Sequence, residues 1–178
     1  MFQQRCFSAG VAGALALALA APAQADVLIT HTRADDFVFT IDVNNGNIQT
    51  AVPLDDTGRT QSGGLIVPVN SRFIVSYTAE CDVDSMFTNA RVSVSLDILA
   101  VNQATGVAIA LPPTTGDKDA FCSGDNRPGF DGPDMNTVTA VAINIPAGTY
   151  RIEVRASVQG ANGFGTGLLG DSSLIVSF

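Results

Sequence analysis

The densest set of groups able to do chemistry lies between Thr114 and Asn136, where Asp117, Asp119, Asp125, Asn126, Asp131, Asp134 and Asn136 are interspersed with glycines. Carboxylates and amides at this density supply the kind of shell, about six to eight oxygens, that calcium takes. Asp82 and Asp84 join them if a disulfide brings the two loops together. The spacing does not match an EF-hand loop, and Asp, Asn and Gly also make ordinary polar turns. The residues therefore leave two readings open: calcium at Asp117, Asp119, Asp125, Asp131 and Asp134, or a solvated loop.

A second chemistry needs a pair of carboxylates. Asp97 and Glu153 each fall on the polar side of an alternating stretch, as glycoside hydrolysis on a sheet surface would require. A solvated strand face places acids in the same way. The chain has no Trp and only two Tyr, so aromatic platforms for a sugar ring are scarce. The single histidine, His31, stands between Thr30 and Thr32 and reads as a surface strand residue. No Gly-x-Ser-x-Gly elbow accompanies it, and one His with two paired cysteines makes a poor zinc site. No catalytic residue is assigned, and the expected function is non-enzymatic.

The elements that would hold these groups read as strands. From Thr137 to Val158 two alternating runs flank Pro146-Ala147-Gly148, which predicts a β-hairpin with Val141, Ile143 and Ile145, then Tyr150, Ile152, Val154, Ala156 and Val158, on the apolar side. Phe37 to Val43 alternates too, and Asn44-Asn45-Gly46 predicts a tight turn into a return strand ending at Val52. Asp55 to Gly64 reads as a polar loop. Phe73, Val75, Tyr77, Ala79 and Cys81 share one face, as do Ala90, Val92, Val94, Leu96 and Ile98. Val107 to Leu111 and Ser172 to Phe178 add short strands, with Gly160 to Gly170 read as a Gly-rich stretch before the last one. Nine or ten short strands without a helix predict an all-β antiparallel sandwich, jelly-roll-like or immunoglobulin-like.

The N-terminus sets the expected compartment. Arg5, an apolar run from Val11 to Ala21 and the small residues of Pro22-Ala23-Gln24-Ala25 read as a secretory signal over residues 1 to 25, leaving one domain over 26 to 178. The apolar run is shorter than the roughly 20 residues that span a bilayer, and no membrane insertion is expected. Export favours a disulfide between Cys81 and Cys122, begun from the inward face of a strand. Closing that loop removes roughly 4 kcal/mol of unfolded-state freedom on the chain-entropy estimate. Without Arg5 the chain keeps eight basic and 17 acidic residues, a net charge of −9. Such a charge disfavours nucleic acid as a partner.

In size, acidity, single disulfide and β-rich C-terminus the chain resembles secreted pilus subunits, although it lacks their penultimate Tyr. That resemblance implies assembly by strand addition, with Val27 and Ile29 of the first strand as the donated residues. The stretch PAGTYRIEVRA is similar to penultimate strands of many exported β-sandwich modules. The expected function is a periplasmic, cell-surface or extracellular protein for structure, attachment or ligand binding through loop 114 to 136 and the stretch 160 to 170. Its expected partners are itself, a surface glycan or a protein, and its only expected cofactor is calcium. The alternatives are the fibre subunit and a small hydrolase using Asp97 and Glu153.

Overall fold

The computed structural model describes residues 26–40, 49–84, 91–113, 120–124, 134–160 and 165–178. The 1–25 segment, the Asn44-Asn45-Gly46 turn and most of the 114–136 loop lie outside the described residues. Eleven strands are described: β1 (Val27–Arg33), β2 (Phe37–Thr40), β3 (Thr50–Ala51), β4 (Leu65–Val67), β5 (Arg72–Asp84), β6 (Val92–Asn102), β7 (Ala108–Leu111), β8 (Cys122–Ser123), β9 (Asp134–Ile143), β10 (Gly148–Gly160) and β11 (Thr166–Ser177). They form two antiparallel sheets. Sheet I runs β1-β11-β5-β9, with β2 beside the other half of β11; sheet II runs β3-β10-β6-β7, with β4 on β10 and β8 on β6.

Alternation places one side of every long strand in the core between the sheets. Phe73, Val75, Tyr77, Ala79 and Cys81 of β5 are buried, facing Val92, Val94, Leu96 and Ile98 of β6 and Ile152, Val154, Ala156 and Val158 of β10. Each large side chain removed from water contributes about 1.5–3 kcal/mol. Burial also pushes the Tyr77 phenol above its ordinary value, against the opposing pull of Ser172 and Arg33. Cys81 of β5 is bonded to Cys122 of β8 with a Cα–Cα distance of 6.1 Å, so the disulfide staples sheet I to sheet II.

Two expected hairpins are not hairpins. β9 belongs to sheet I and β10 to sheet II, and so the 144–147 turn carries the chain across the sandwich. Asn144 takes a φ of 58°, Ile145 is buried at the corner, and the Tyr150 hydroxyl donates to the Pro146 carbonyl at 2.9 Å. Likewise β2 pairs with β11 and β3 with β10, so the runs on either side of Asn44-Asn45-Gly46 sit in different sheets. Alternation specifies only that one side of a strand meets the core. In β9 that side is Val138, Ala140 and Ala142, which sit beside the bulkier Tyr77, Val75 and Phe73 of β5, and not the expected Val141 and Ile143; Ile143 is 59% exposed on the outer face.

The Gly-rich stretch is also partly strand. β11 begins at Thr166, and a Cβ on Gly167 would lie 2.7 Å from Phe39 Cζ and 2.9 Å from Val158 Cγ2. That glycine permits close approach of the sheets.

The two outer faces differ in composition. On sheet I, Thr30 and Thr32 of β1 lie beside Ile175 and Ser173 of β11, which pair in turn with Ser76 and Thr78 of β5. These continue to Thr139 and Thr137 of β9, and Ser76–Thr139 and Thr78–Thr137 join by hydroxyl hydrogen bonds of 3.1 and 2.8 Å. The outer face of sheet II carries Asp97 of β6 with Arg151, Glu153 and Arg155 of β10.

Candidate functional site

A cleft of about 420 Å³ opens beside β10 where the edge of sheet II is interrupted, lined by Arg59, Thr60, Gln61, Ser62, Gly63, Gly64 and Arg151. β3 and β4 both pair with β10, and between them the chain touches β10 through Gln61 opposite Glu153. Ser62 fixes this contact, donating N–H to the Ile152 carbonyl at 2.9 Å and accepting the Ile152 N–H on Oγ at 2.8 Å. Pro53 to Thr60 leave the β10 edge, with Leu54 buried in the core and the Asp55 turn packed against His31 of β1, and the cleft lies beside this departure.

Its polar floor is a chain of hydrogen bonds. Arg151 Nη1 donates to Gln61 Oε1 at 3.3 Å, Gln61 Nε2 donates to Glu153 Oε2 at 2.9 Å, and Arg155 Nε donates to Glu153 Oε1 at 2.5 Å. Glu153 is only 6% exposed. A buried carboxylate needs such donors on both oxygens, and Gln61 and Arg155 supply them. Arg151 is exposed and keeps further donors for a ligand.

Arg59 reaches the cleft mouth from a turn built on Asp55. The Asp55 carboxylate accepts from the Thr57 hydroxyl at 2.5 Å and from the Thr57 and Arg59 amides at 3.0 and 3.3 Å. It also lies 3.6 Å from Arg59 Nε and 3.6 Å from His31 Nδ1. The Thr57 hydroxyl is the chief reason that the Asp55 carboxyl titrates below the usual carboxylate range, with the Arg59 and Thr57 amides and the Arg59 charge adding to it. Gly58, at φ 79°, closes the turn. Asp56 Oδ1 accepts from Ala34 N–H at 2.8 Å, tying the turn to the end of β1.

His31 is therefore not a surface residue. It is opposite Leu174 on the inward side of β1, its side chain is 11% exposed, and the 55–59 turn covers it. Asp97 and Glu153 do share the outer face of sheet II, on adjacent strands: Asp97 is opposite Arg155, and Glu153 is opposite Leu99. Asp97 accepts a hydrogen bond from Gln49, so both carboxylates are already engaged as acceptors.

Of the calcium candidates, Asp134 opens β9 as an exposed residue paired with Cys81. Asp117, Asp119, Asp125 and Asp131 lie outside the described residues. Asp82 and Asp84 belong to β5. Val27 and Ile29 sit in β1 at the edge of sheet I and do not share a face. A register shift between them sets Val27, 62% exposed, against Ser177, while Ile29 pairs with Val176 and packs on the core.

Residues 55 to 64 have no periodicity, so no alternation in their pattern marks the cleft. The available signal was Arg59 and Gln61 next to Gly63-Gly64, opposite the outward Arg-Glu-Arg alternation of β10.

No protein-family model matches this sequence, and no curated protein matches it. Solved structures do share its fold. The VP2 subviral particle of infectious bursal disease virus aligns at TM-score 0.54 and 14% identity, covering 88% of this chain and 33% of that chain. The Gt strain of the same virus aligns at TM-score 0.53 and 14% identity, covering 96% and 38%. The chain thus spans only 33% to 38% of the length of these proteins, and the likeness is one of fold: a jelly-roll-like antiparallel sandwich. The CBM22-1 xylan-binding domain from Paenibacillus barcinonensis Xyn10C aligns over 88% of this chain and 97% of that chain at TM-score 0.32 and 10% identity, too slight a likeness to align sites.

Proposed function

We propose that this chain is an exported, non-enzymatic β-sandwich that attaches to a surface glycan through the cleft at Arg59, Gln61 and Arg151. The observation that carries the reading is the pair of guanidinium groups at one interrupted sheet edge, with Arg151 oriented by Gln61 and Glu153 and Arg59 held by the Asp55 turn. Guanidinium forks match carboxylates, and the cleft amides and hydroxyls match sugar hydroxyls. The ligand class is therefore a polyhydroxylated chain with isolated carboxylates, since dense polyanions are opposed by the net charge of −9 on the exported chain. Both acids of the hydrolase reading are occupied as acceptors, which supports binding over turnover.

Calorimetric titration with an acidic polysaccharide and its carboxyl-reduced form tests this. The acidic form should bind, the reduced form should bind more weakly, and Arg151→Ala should weaken binding about tenfold to a hundredfold, the range for one charge-assisted hydrogen bond. Equal binding of both forms, or an unaffected R151A variant, would overturn it. Calcium at Asp117, Asp119, Asp125, Asp131 and Asp134 belongs to the same proposal: chelation should lower the melting temperature, and an unchanged melt removes that element.

Fibre assembly by strand exchange is a second reading, favoured by one observation. β1 is an edge strand that pairs only with β11 among the described strands, so a neighbour's copy can replace it. Deleting 26 to 32 should then abolish polymers while the sandwich persists.

A further inference from the structure

We propose that the outer face of sheet I binds a second copy of this chain, face to face, about a two-fold axis that lies between the sheets and runs across their strands. Arg72 and Glu80 stand at opposite ends of the outward side of β5, opposite Ile143 and Met135 of β9 respectively. Ile143 is 59% and Met135 58% exposed. Among the described residues neither Arg72 nor Glu80 has an ion pair. A two-fold axis along the row of Ile175, Ser76 and Thr139 sets β5 antiparallel over its own copy. Each Arg72 then lies over the partner's Glu80, and each Ile143 over the partner's Met135. One operation thus completes both charge pairs and both apolar pairs, as an isologous interface requires.

The middle of the face fits burial. Its central rows carry no charged side chain, the exposed Asp171 standing at the Glu80 end beside Met135, and Ile74 and Ile175 are exposed at 39% and 40%. Its hydroxyls at Ser76–Thr139 and Thr78–Thr137 already bond to one another, so excluding water leaves none of these four without a partner. On strands about 4.8 Å apart, β5 and β9 fill five outward rows about 6.7 Å apart, β11 four and β1 three, which gives a footprint of roughly 550 Å² per copy. The total, roughly 1,100 Å², clears the roughly 1,000 Å² that a specific interface needs. The inference rests on this face alone, whatever the cleft binds. Its consequence for attachment is that the two sheet II clefts of the dimer open in opposite directions, which suits bridging.

Sedimentation equilibrium of the full chain over a range of concentrations tests the proposal, with thermal melts as the control for folding. The wild type should be a dimer. Arg72→Glu and Glu80→Arg should each weaken association about tenfold or more, and the double variant R72E/E80R should recover it by restoring the pair with reversed polarity. Ile175→Asp, which places two carboxylates at the axis, should give a monomer with a melt close to that of wild type. A wild type that is monomeric throughout, a dimer indifferent to both single reversals, or a double variant that fails to recover would overturn it.

Discussion

The two outer faces of this sandwich carry polar side chains in different ways. On sheet II the charges are internally committed: Glu153 is buried between Gln61 and Arg155, and Asp97 accepts from Gln49. On sheet I the central rows hold hydroxyls and aliphatic side chains, with the charges of Arg72 and Glu80 at the two ends. A face whose groups are bonded into a network fixes the geometry of the few donors it leaves over, and Arg151 is one of them. A face with neutral central rows and opposite charges at the ends of β5 matches its own reverse, and its hollow, about 330 Å³ beside Thr78, Met135 and Asp171, lies at one end. The same alternation of strands thus yields a cleft on one side and a self-complementary surface on the other.

Both faces depend on the one disulfide between the sheets. Loss of the inter-sheet bridge by Cys81→Ser with Cys122→Ser should lower stability by about 2–5 kcal/mol in denaturant unfolding and should loosen both faces together. Retention of wild-type stability would show that the sheets are held by packing alone.

Single substitutions sharpen the contrast. Glu153→Ala leaves Gln61 and Arg155 without their acceptor and should cost about 1–3 kcal/mol, with weaker ligand binding because Arg151 loses its orientation. Thr137→Val, which removes one hydroxyl of an exposed pair on sheet I, should cost under about 1 kcal/mol. Equal costs would mean that the sheet II network is no more committed than the hydroxyl pairs.

The smallest effect concerns acid. The Asp55 carboxyl is held below its ordinary value in the fold, so its contribution is present above the unfolded-state value and is lost as pH falls through the lowered folded value. The Thr57 amide signal should therefore titrate with a midpoint under about 3.9, the ordinary aspartate value. A midpoint at or above it would remove Asp55 as the anchor of Arg59, whereas the hydroxyl face of sheet I should show no matching change.

What was legible in the sequence follows from what alternation encodes. The inward sets of β5 and β6, the inward origin of the disulfide at Cys81 and the shared face of Asp97 and Glu153 all depend on parity within one strand, and all are present. Parity misleads in β9, where both sides are apolar and the small Val138, Ala140 and Ala142 face the core while Ile143 faces out. Strand neighbours depend on turns and on the closeness of the sheets, which alternation does not encode. Ile145 buried at a corner and Tyr150 bonded back to Pro146 turn β9 and β10 into different sheets. Gly167, set among Phe39, Val94 and Val158, extends a strand through a stretch that reads as loop. His31 is covered by a turn more than 20 residues away in sequence, which no local pattern signals. The cleft arises from an interruption in pairing, so periodicity alone could not reveal it.

Binding at the sheet II cleft is tested by amide chemical-shift mapping of the full chain during titration with an acidic polysaccharide. Shifts should gather at residues 59 to 64 and 151 to 153, with the outer face of sheet I unmoved. Shifts centred on Thr30, Ser76 and Thr139, or no shifts at saturating ligand, would contradict the assignment of binding to the sheet II cleft.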